Sequence, residues 1–340
     1  MYPEIEVRTA ICYPRIGLVG NPSDGYGGRV IAACFTDFRA QLACRRERAA
    51  TSDGLRLVVA GCSFASLEDI RAQIAALDGI EALVAAAVLA VVDQDASLVA
   101  GLACLHFEVE TDIPREVGLS GSSAIVVAAL RTLVGASDAL QLARLALRAE
   151  RDLLGIAAGP QDRWIQALGG TAFLDFGPEP WRHEVLPSAR LPRVLLVLAR
   201  DGGQRSGVAH TSLRARFDAA DPATRAAMLR FAELADEGRA ALAFEDGMAT
   251  TRRFAELFRE AFTLRQTCYD LGAGDLEIAA LAQAHGVGAT LAGSGGALVA
   301  AALDGDEARL QAFARACAAE GHRSLVPTFV DAPQRAQVRT

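Results

Sequence analysis

The stretch Ile113–Leu133, IPREVGLSGSSAIVVAALRTL, decides how the rest of the chain is interpreted. Its first half is a loop rich in glycine and serine, and its second half is an apolar run of Ala, Val, Ile and Leu that predicts a helix. Such a loop presents free backbone N–H groups at the positive end of a helix dipole, an arrangement that binds phosphate. The alternative is an ordinary loop with a serine helix cap, and for this stretch taken alone it is the better interpretation.

Outward from this stretch, strands and helices are mixed without strict alternation, which favours the α+β class with two lobes. Short apolar or alternating runs predict strands, and longer runs with helical spacing predict helices. The predicted strands are Arg15–Gly20, Arg29–Phe38, Leu55–Ala60, Leu102–Glu110, Gly170–Phe176 and Val194–Ala199. The predicted helices are Leu67–Leu77, Gly79–Val92, Ser137–Leu154 with Ser137 as N-cap, Ser206–Phe217, Pro222–Phe244 and Met248–Leu271.

The remainder predicts a helix, a strand, a GSGG turn, a strand, a helix and a last strand near Val330, followed by a polar tail. A cluster of prolines, Pro178, Pro180, Pro187 and Pro192, marks a domain boundary. We therefore predict one domain over residues 1–187 and a second over residues 188–340.

Composition excludes several classes of protein. The net charge of −7 argues against a nucleic-acid-binding or membrane-surface protein. All 34 basic residues are arginine, so a Walker A loop and lysine Schiff-base chemistry are excluded. The 7 cysteines form no CxxC pair, which indicates buried thiols in a reducing compartment. The apolar run Ala82–Val92 is too short to span a bilayer and the N-terminus shows no signal pattern, so we expect a soluble cytoplasmic protein, a monomer or homodimer.

Glu150 falls on the apolar face of its predicted helix, among Leu142, Ala146 and Leu153. A carboxylate there is costly unless it is paired or bound to a cation. A buried salt bridge to an arginine and a ligand to a hard cation such as Mg²⁺ are equally compatible with this position.

Asp162 follows a glycine- and proline-containing bend, GIAAGPQ, that could return it to the Gly/Ser loop. It is either a first-turn carboxylate that favours the helix dipole or, beside a nucleotide, a general base. Two further segments, NPSDGYGG with Asp24 and AGSGGA at 292–297, are either tight turns or places where a ligand approaches the backbone.

Together these segments resemble the GHMP small-molecule kinases, a family that includes galactokinase, mevalonate kinase and homoserine kinase. RIGLVGNPSDGYGG, PREVGLSGSSA and LAGSGGALV resemble the family's three motifs in order, and the likeness covers nearly the whole chain. The second motif is one residue longer than the common GLGSSA. NPSDGYGGR, IPREVGLSGSSAI, GIAAGPQDR, SGVAHTSLRARF and TLRQ resemble the glucuronokinase branch in particular.

The resemblance implies a two-lobed α+β fold, with a ribosomal-protein-S5-domain-2-like N-terminal domain that binds ATP and a ferredoxin-like C-terminal domain. It implies that the catalytic residues are Asp162, as base or orienting carboxylate, and Arg15, near the transferred phosphate. The implied cofactors are ATP and Mg²⁺. The loop that would cradle the ATP phosphates consists of Gly118, Leu119, Ser120, Gly121, Ser122 and Ser123. Ser123 (or Ser122) and Glu150 would hold Mg²⁺. The residues expected to face the substrate are Asp24, Arg163, Gly295 and Arg265, with His210 and Arg214.

The implied activity is phosphorylation of the anomeric hydroxyl of D-glucuronate, so the expected partners are a sugar acid and ATP, with no nucleic acid and no membrane. An arginine fork suits a uronate carboxylate. The alternatives are another GHMP sugar kinase, acting on galactose, another uronate or a heptose phosphate, and a catalytically silent sugar or nucleotide sensor.

Overall fold

The computed structural model describes residues 5–48, 54–135, 138–157, 159–202 and 213–331, and the backbone of 337–339. Its strands are Ile5–Cys12 (β1), Arg15–Val19 (β2), Arg29–Cys34 (β3), Ala40–Arg48 (β4), Arg56–Val59 (β5), Cys62–Phe64 (β6), Leu102–Thr111 (β7), Thr171–Asp175 (β8), Arg182–Leu186 (β9), Leu195–Leu198 (β10), Val287–Leu291 (β11), Ala297–Ala302 (β12), Arg323–Leu325 (β13) and Gln337–Arg339 (β14).

The helices of the described residues are Leu67–Gln73 (α1), Gly79–Gln94 (α2), Gly121–Val134 (α3), Ala139–Leu147 (α4), Gln161–Leu168 (α5), Pro222–Ala241 (α6), Gly247–Cys268 (α7), Ala273–Ala284 (α8) and Glu307–Ala319 (α9). Residues 213–218 are also helical. A π-helical turn, Arg148–Leu153, continues α4. This mixture of helices and largely antiparallel sheets confirms the predicted α+β class.

Three sheets carry the fold. The strand orders are β14-β1-β4-β7-β5-β6, β2-β3-β8-β9 and β11-β12-β10-β13. Pairing is antiparallel throughout the described strands except between β5 and β7. The first motif therefore begins on β2 of the second sheet, and the third motif is the turn between β11 and β12 of the third sheet.

The helix α3 lies at the centre of the first half of the molecule. It packs against α2 and against β1 and β4. Because α3 is buried from Ser123 to Leu133 and α2 from Ala82 to Val91, both helices are apolar on nearly every side. Neither they nor any other described helix is long and apolar enough to cross a membrane. The rigid position of α3 fixes the Gly/Ser loop at its N-terminus.

Several sequence expectations need correction. The predicted strand from Arg29 ends at Cys34, because Phe35 makes only an isolated bridge to Phe329. The helix predicted from Ser137 begins after Asp138, whose side chain accepts a hydrogen bond from the Gln141 N–H; Ser137 lies outside the described residues. That helix does not continue as a regular α-helix to Leu154, because its last part is π-helical.

The predicted polar tail is also wrong, since β14 pairs with β1 over Val7, Arg8 and Thr9. Residues near Val330 likewise return to the first half of the chain, where the Val330 N–H donates to the Cys34 carbonyl at 2.9 Å. The division into domains at residues 187 and 188 stays a prediction. The chain does pass from β9 to β10 close to that point.

Candidate active site

The Gly/Ser loop opens α3 with its backbone in an unusual conformation. Ser120, the N-cap, has φ 60° and ψ 42°, in the left-handed region, and its side chain makes no cap hydrogen bond to α3. The Ser120 hydroxyl instead donates to Asp162 Oδ2 at 2.5 Å. The first N–H groups of α3 are therefore not satisfied by their own cap. Because they lie at the positive end of a long buried helix, they suit a phosphate group.

Asp162 occupies the first turn of α5 and lies beside this loop. Its Oδ1 accepts from Arg15 Nε at 2.6 Å, and its Oδ2 accepts from Arg15 Nη2 at 2.8 Å. Burial raises the pKa of Asp162, but the charges of Arg15 and Arg163 and the hydrogen bonds from Arg15 and Ser120 outweigh it and lower the pKa to about 2. Asp162 is therefore ionised at neutral pH.

Arg15 connects the three motifs. Besides its fork to Asp162, its Nη1 donates to the Gly118 carbonyl at 2.6 Å and to the Ala292 carbonyl at 3.1 Å. The side chain is only 4% exposed. Since a guanidinium is planar and has five N–H donors, this one side chain holds the phosphate loop, the third motif and the carboxylate of Asp162 in fixed positions.

Glu150 is fully buried in the π-helical turn, and its two oxygens have different partners. Oε2 accepts from Arg163 Nε at 2.5 Å. Oε1 accepts from Ser122 Oγ at 3.0 Å and from Ser123 Oγ at 3.2 Å. The buried ion pair, one of the two interpretations of the sequence, is therefore present. The other oxygen faces both loop serines, so the assignment of Glu150 and Ser123 to a metal stays a prediction that this geometry allows.

The third motif packs on the phosphate loop. A Cβ atom on Gly293 would lie 2.0 Å from the Gly118 carbonyl oxygen, and one on Gly118 would lie 2.7 Å from the Gly295 carbonyl oxygen. Only glycine permits this approach. Of the described residues in this turn, Ser294 lines the cavity and Gly295 does not. Gly295 packs on the loop at Gly118, and the expectation that it contacts substrate stays a prediction.

Arg265 has a similar structural position. It is 1% exposed, and its guanidinium donates to the Asn21 carbonyl at 2.9 Å and to the Gly293 carbonyl at 2.7 Å, as well as to the Asn21 side chain. It does not belong to the described lining of the cavity. These bonds join the first motif to the third, and the expectation that Arg265 faces substrate stays a prediction.

Asp24 lines the cavity and is 6% exposed. One of its oxygens accepts from the Gln161 N–H at 3.2 Å. Burial and the charge of Asp162 raise the pKa of Asp24 to about 6. Arg214 lies on the same wall, and its guanidinium donates to the carbonyl of Gly25. His210 lies outside the described residues.

The raised pKa of Asp24 predicts a cost of burying its charge. The folded protein binds the proton of the Asp24 carboxyl more tightly than the unfolded chain does. The stabilisation of the fold by protonated Asp24 is therefore complete below pH 3.8 and is lost as pH rises through about 6. The variant Asp24→Asn carries no charge at any pH. We expect its free energy of unfolding, relative to the parent protein, to increase by about 2 kcal/mol between pH 4 and pH 8.

Urea unfolding of both proteins across this pH range measures the effect. A suitable control is Asp95→Asn, because hydrogen bonds from Ser97 lower the pKa of Asp95 and the pH dependence should have the opposite sign. A stability difference for Asp24→Asn that does not change with pH would contradict the prediction.

Arg15, Asp24, Asp162, Arg163 and the Gly/Ser loop line one cleft of about 890 Å³, large enough for a nucleotide and a small substrate. One wall consists of the first motif with Asp24 and Tyr26. Another is largely apolar and suits a planar base; it includes Ile80, Leu83, Ile113, Val117 and Ile156. The sequence patterns did not single out these apolar residues, because they come from separate elements that only folding brings together.

The described residues contain no group of three or more His, Cys, Asp or Glu side chains that could hold a metal ion by itself. Mg²⁺ usually takes one or two carboxylates and completes its shell with waters and substrate phosphates. Glu150 Oε1, with the Ser122 and Ser123 hydroxyls beside a phosphate-binding helix N-terminus, fits that requirement. The donor set is therefore compatible with magnesium that arrives together with a nucleotide.

Comparison with known proteins agrees with this geometry. The sequence profile of the GHMP kinases N terminal domain matches residues 82–170. The protein named probable glucuronokinase 2, from Arabidopsis thaliana, is 31% identical over 330 residues, which cover 84% of this chain and 82% of that protein. Glucuronokinase 1 from the same plant is 30% identical over 316 residues, which cover 84% and 83%.

Solved structures share the fold at low sequence identity. Lactococcus lactis galactokinase, complexed with galactose, has a TM-score of 0.73 and 18% identity over 97% of this chain and 95% of its own. Methanococcus jannaschii mevalonate kinase has a TM-score of 0.70 and 15% identity over 95% and 98%. These likenesses confirm the predicted two-lobed fold. Because the two glucuronokinases are at least 30% identical over 84% of the chain, the chain belongs to the GHMP kinase family and is a phosphotransferase with an alcohol group as acceptor.

Proposed function

We propose that the protein is an ATP- and Mg²⁺-dependent kinase that phosphorylates the anomeric hydroxyl of D-glucuronate, giving glucuronate 1-phosphate and ADP. The observation that carries this proposal is the similarity to two Arabidopsis glucuronokinases along 84% of the chain. The cleft supports this proposal, since its lining combines apolar side chains, charged side chains and the N-terminus of α3, which has no side-chain cap.

In this proposal the sugar hydroxyl lies next to Asp162. The carboxylate accepts a hydrogen bond from the hydroxyl and turns an oxygen lone pair towards the γ-phosphorus of ATP. A new anomeric O–P bond forms, the bond to the β–γ bridging oxygen breaks, and ADP leaves with that electron pair. Because phosphoryl transfer has a loose transition state, positioning contributes more than early removal of the proton.

The low pKa of Asp162 has a consequence for this step. A carboxylate whose pKa is about 2 holds a proton poorly at neutral pH. We therefore assign Asp162 mainly to orientation, and the hydroxyl proton leaves late in the reaction, through Asp162, to solvent. Arg15 keeps the carboxylate ionised and correctly turned through its two hydrogen bonds.

The remaining residues bind and neutralise the nucleotide. The backbone from Gly118 to Ser123 would cradle the phosphates, and Ser123 or Ser122 with Glu150 would hold Mg²⁺. The metal, when bound, neutralises charge on the phosphate oxygens. Asp24 would accept hydrogen bonds from sugar hydroxyls. Arg163, although it lines the cleft, is committed to Glu150 and to the Gly159 carbonyl at 2.9 Å, so we assign it to positioning of Glu150.

The experiment is an ADP-release assay with D-glucuronate, D-galacturonate, D-glucose, D-galactose and a heptose 7-phosphate. We expect the highest kcat/KM with glucuronate, and a ³¹P spectrum of the product with a phosphate coupled to the anomeric proton. The heptose phosphate belongs in the panel because a 78-residue segment is 35% identical to the D-glycero-alpha-D-manno-heptose 7-phosphate kinase of Campylobacter jejuni.

A neutral hexose or the heptose phosphate turning over faster than glucuronate would overturn the proposed substrate while leaving a sugar kinase. If the protein released no ADP with any sugar although sugar and nucleotide both bound, the alternative of a catalytically silent sensor would replace the proposed kinase.

A further inference from the structure

We propose that Arg214 binds the carboxylate of the uronate substrate and so determines the preference for sugar acids over neutral sugars. This inference rests on the proposed function, because it concerns the chemical group that separates glucuronate from glucose. A carboxylate pairs best with a guanidinium, which can donate two parallel N–H···O bonds.

The arginines of the cleft differ in whether a carboxylate of the protein already pairs with them. The arginines that line the cleft, within the described residues, are Arg15, Arg115, Arg151, Arg163 and Arg214. The guanidinium of Arg15 holds Asp162, and that of Arg163 holds Glu150. Their charges are therefore already balanced by carboxylates, Asp162 at 19% exposed and Glu150 fully buried, and moving either guanidinium would displace its partner.

The remaining three arginines lie at different places in the cleft. Arg115 lies in the loop before α3, and Arg151 lies in the π-helical turn, where it pairs with Asp152 at 2.8 Å. Both are on the side of the cleft that carries the phosphate loop. Arg214 instead donates to the carbonyl of Gly25, the residue next to Asp24. Among the described cleft arginines that are not already paired with Asp162 or Glu150, Arg214 is therefore the one bonded to the first motif beside Asp24.

Aromatic rings hold the guanidinium of Arg214 in place. The Arg214 guanidinium carbon lies 4.3 Å from the centre of the Tyr26 ring and 6.0 Å from that of Phe217. Stacking on aromatic faces holds the planar group without using its N–H donors. In the part of the chain that the structure describes, its polar contacts are the Gly25 carbonyl and a loose ion pair with Asp218 at 3.7 Å. The side chain is 48% exposed, so an edge of the fork remains for a ligand.

The acidic side chains near Tyr26 also make a cation necessary for binding a carboxylate. Asp24 and Asp218 both lie close enough to Tyr26 to affect its pKa, and both are acidic. A substrate carboxylate entering beside two acids would be repelled unless a cation offset them. Arg214 is the cation that also acts on Tyr26. A neutral hexose has no such requirement.

The test compares Arg214→Met and Arg214→Lys with the parent enzyme, using D-glucuronate, D-glucuronamide and D-glucose. Methionine keeps an apolar stem over Tyr26 and removes the charge. We expect kcat/KM for glucuronate to fall about 10- to 100-fold in Arg214→Met, mainly through KM, in line with the loss of a charged hydrogen bond. Lysine should restore part of it. Activity with the two neutral sugars should change less than about threefold, because these sugars have no carboxylate to pair with Arg214.

The matched control is Arg225→Met. Arg225 also stacks on Phe217, at 5.7 Å, but it does not line the described cleft. Its removal should leave all three activities unchanged. Thermal unfolding of each variant checks folding, and the neutral sugars serve as an internal measure of intact active sites.

The outcomes separate the two proposals. If the parent enzyme prefers a neutral sugar, the proposed function fails and this inference fails with it. If the parent prefers glucuronate but Arg214→Met keeps the same ratio of glucuronate to glucose activity, only the inference is overturned. An equal loss of kcat/KM with charged and neutral sugars overturns the inference as well, because such a loss would assign Arg214 a structural role. If Arg214→Met does not fold, the ratio in Arg214→Lys decides in the same way.

Discussion

Asp162→Asn lowers kcat by about 10²- to 10⁴-fold, the range expected when a group that handles a reacting proton is removed. Asparagine has nearly the same shape but cannot present an ionised oxygen to the sugar hydroxyl. It also leaves the Arg15 guanidinium, 4% exposed, without its counter-ion. Nucleotide affinity should stay near that of the parent enzyme, because the backbone of the phosphate loop is unchanged. Steady-state kinetics and a fluorescent-nucleotide titration measure both quantities.

The control for this variant is Asp93→Asn. Asp93 also pairs with two arginines, Arg71 and Arg148, but it does not line the described cleft. We expect its turnover to be unchanged. Full activity of Asp162→Asn would remove Asp162 from the mechanism.

Glu150→Gln raises the Mg²⁺ concentration needed for half-maximal activity by about 10- to 100-fold, the usual cost of disturbing a metal site. The amide keeps an oxygen near Ser122 and Ser123 but carries no charge to attract the metal. The same change removes the close partner of Arg163, which is 5% exposed, and leaves it with a longer ion pair to Asp162 at 3.7 Å. Because breaking a buried pair from one side costs about 3–5 kcal/mol, the free energy of unfolding should fall as well.

A double variant separates these two effects. Glu150→Gln with Arg163→Met removes both charges, so we expect stability to recover in part while the shifted Mg²⁺ titration remains. Glu260→Gln, which breaks a surface pair with Arg230, should change neither. An unchanged Mg²⁺ titration in Glu150→Gln would assign the residue to the ion pair alone.

The sequence predicted the parts of the site that depend on local chemistry. The Gly/Ser loop, the misplaced glutamate and the aspartate after the glycine bend each violate an ordinary local pattern. The structure brings Ser120 and Asp162 to one cleft, and it bonds the buried Glu150 to Ser122, which lines the same cleft. Local pattern could not distinguish an arginine that faces substrate from one that fastens loops. Arg265 and Arg163 proved to be bound to carbonyl or carboxylate groups that are distant in sequence.

The fold was predicted less evenly. Long helices such as α2 and α6 were confirmed because α2 is an apolar run of helical length and α6 repeats its apolar positions over 20 residues. Strand β4 was missed, since it ends in the charged run RRER. In the structure Arg46 is buried because it donates to the carbonyls of Leu98 and Leu133. Strand β14 was missed because its pairing with β1 joins opposite ends of the chain.

The central claim is that the phosphate loop, Glu150 and Asp162 act on one bound nucleotide and one sugar acid. A crystal structure with D-glucuronate, Mg²⁺ and a non-hydrolysable ATP analogue tests it most directly. We predict the γ-phosphate at the N-terminus of α3 and the anomeric hydroxyl within hydrogen-bond distance of Asp162. A nucleotide bound away from Gly118–Ser123, or a sugar whose anomeric hydroxyl points away from Asp162, would contradict it.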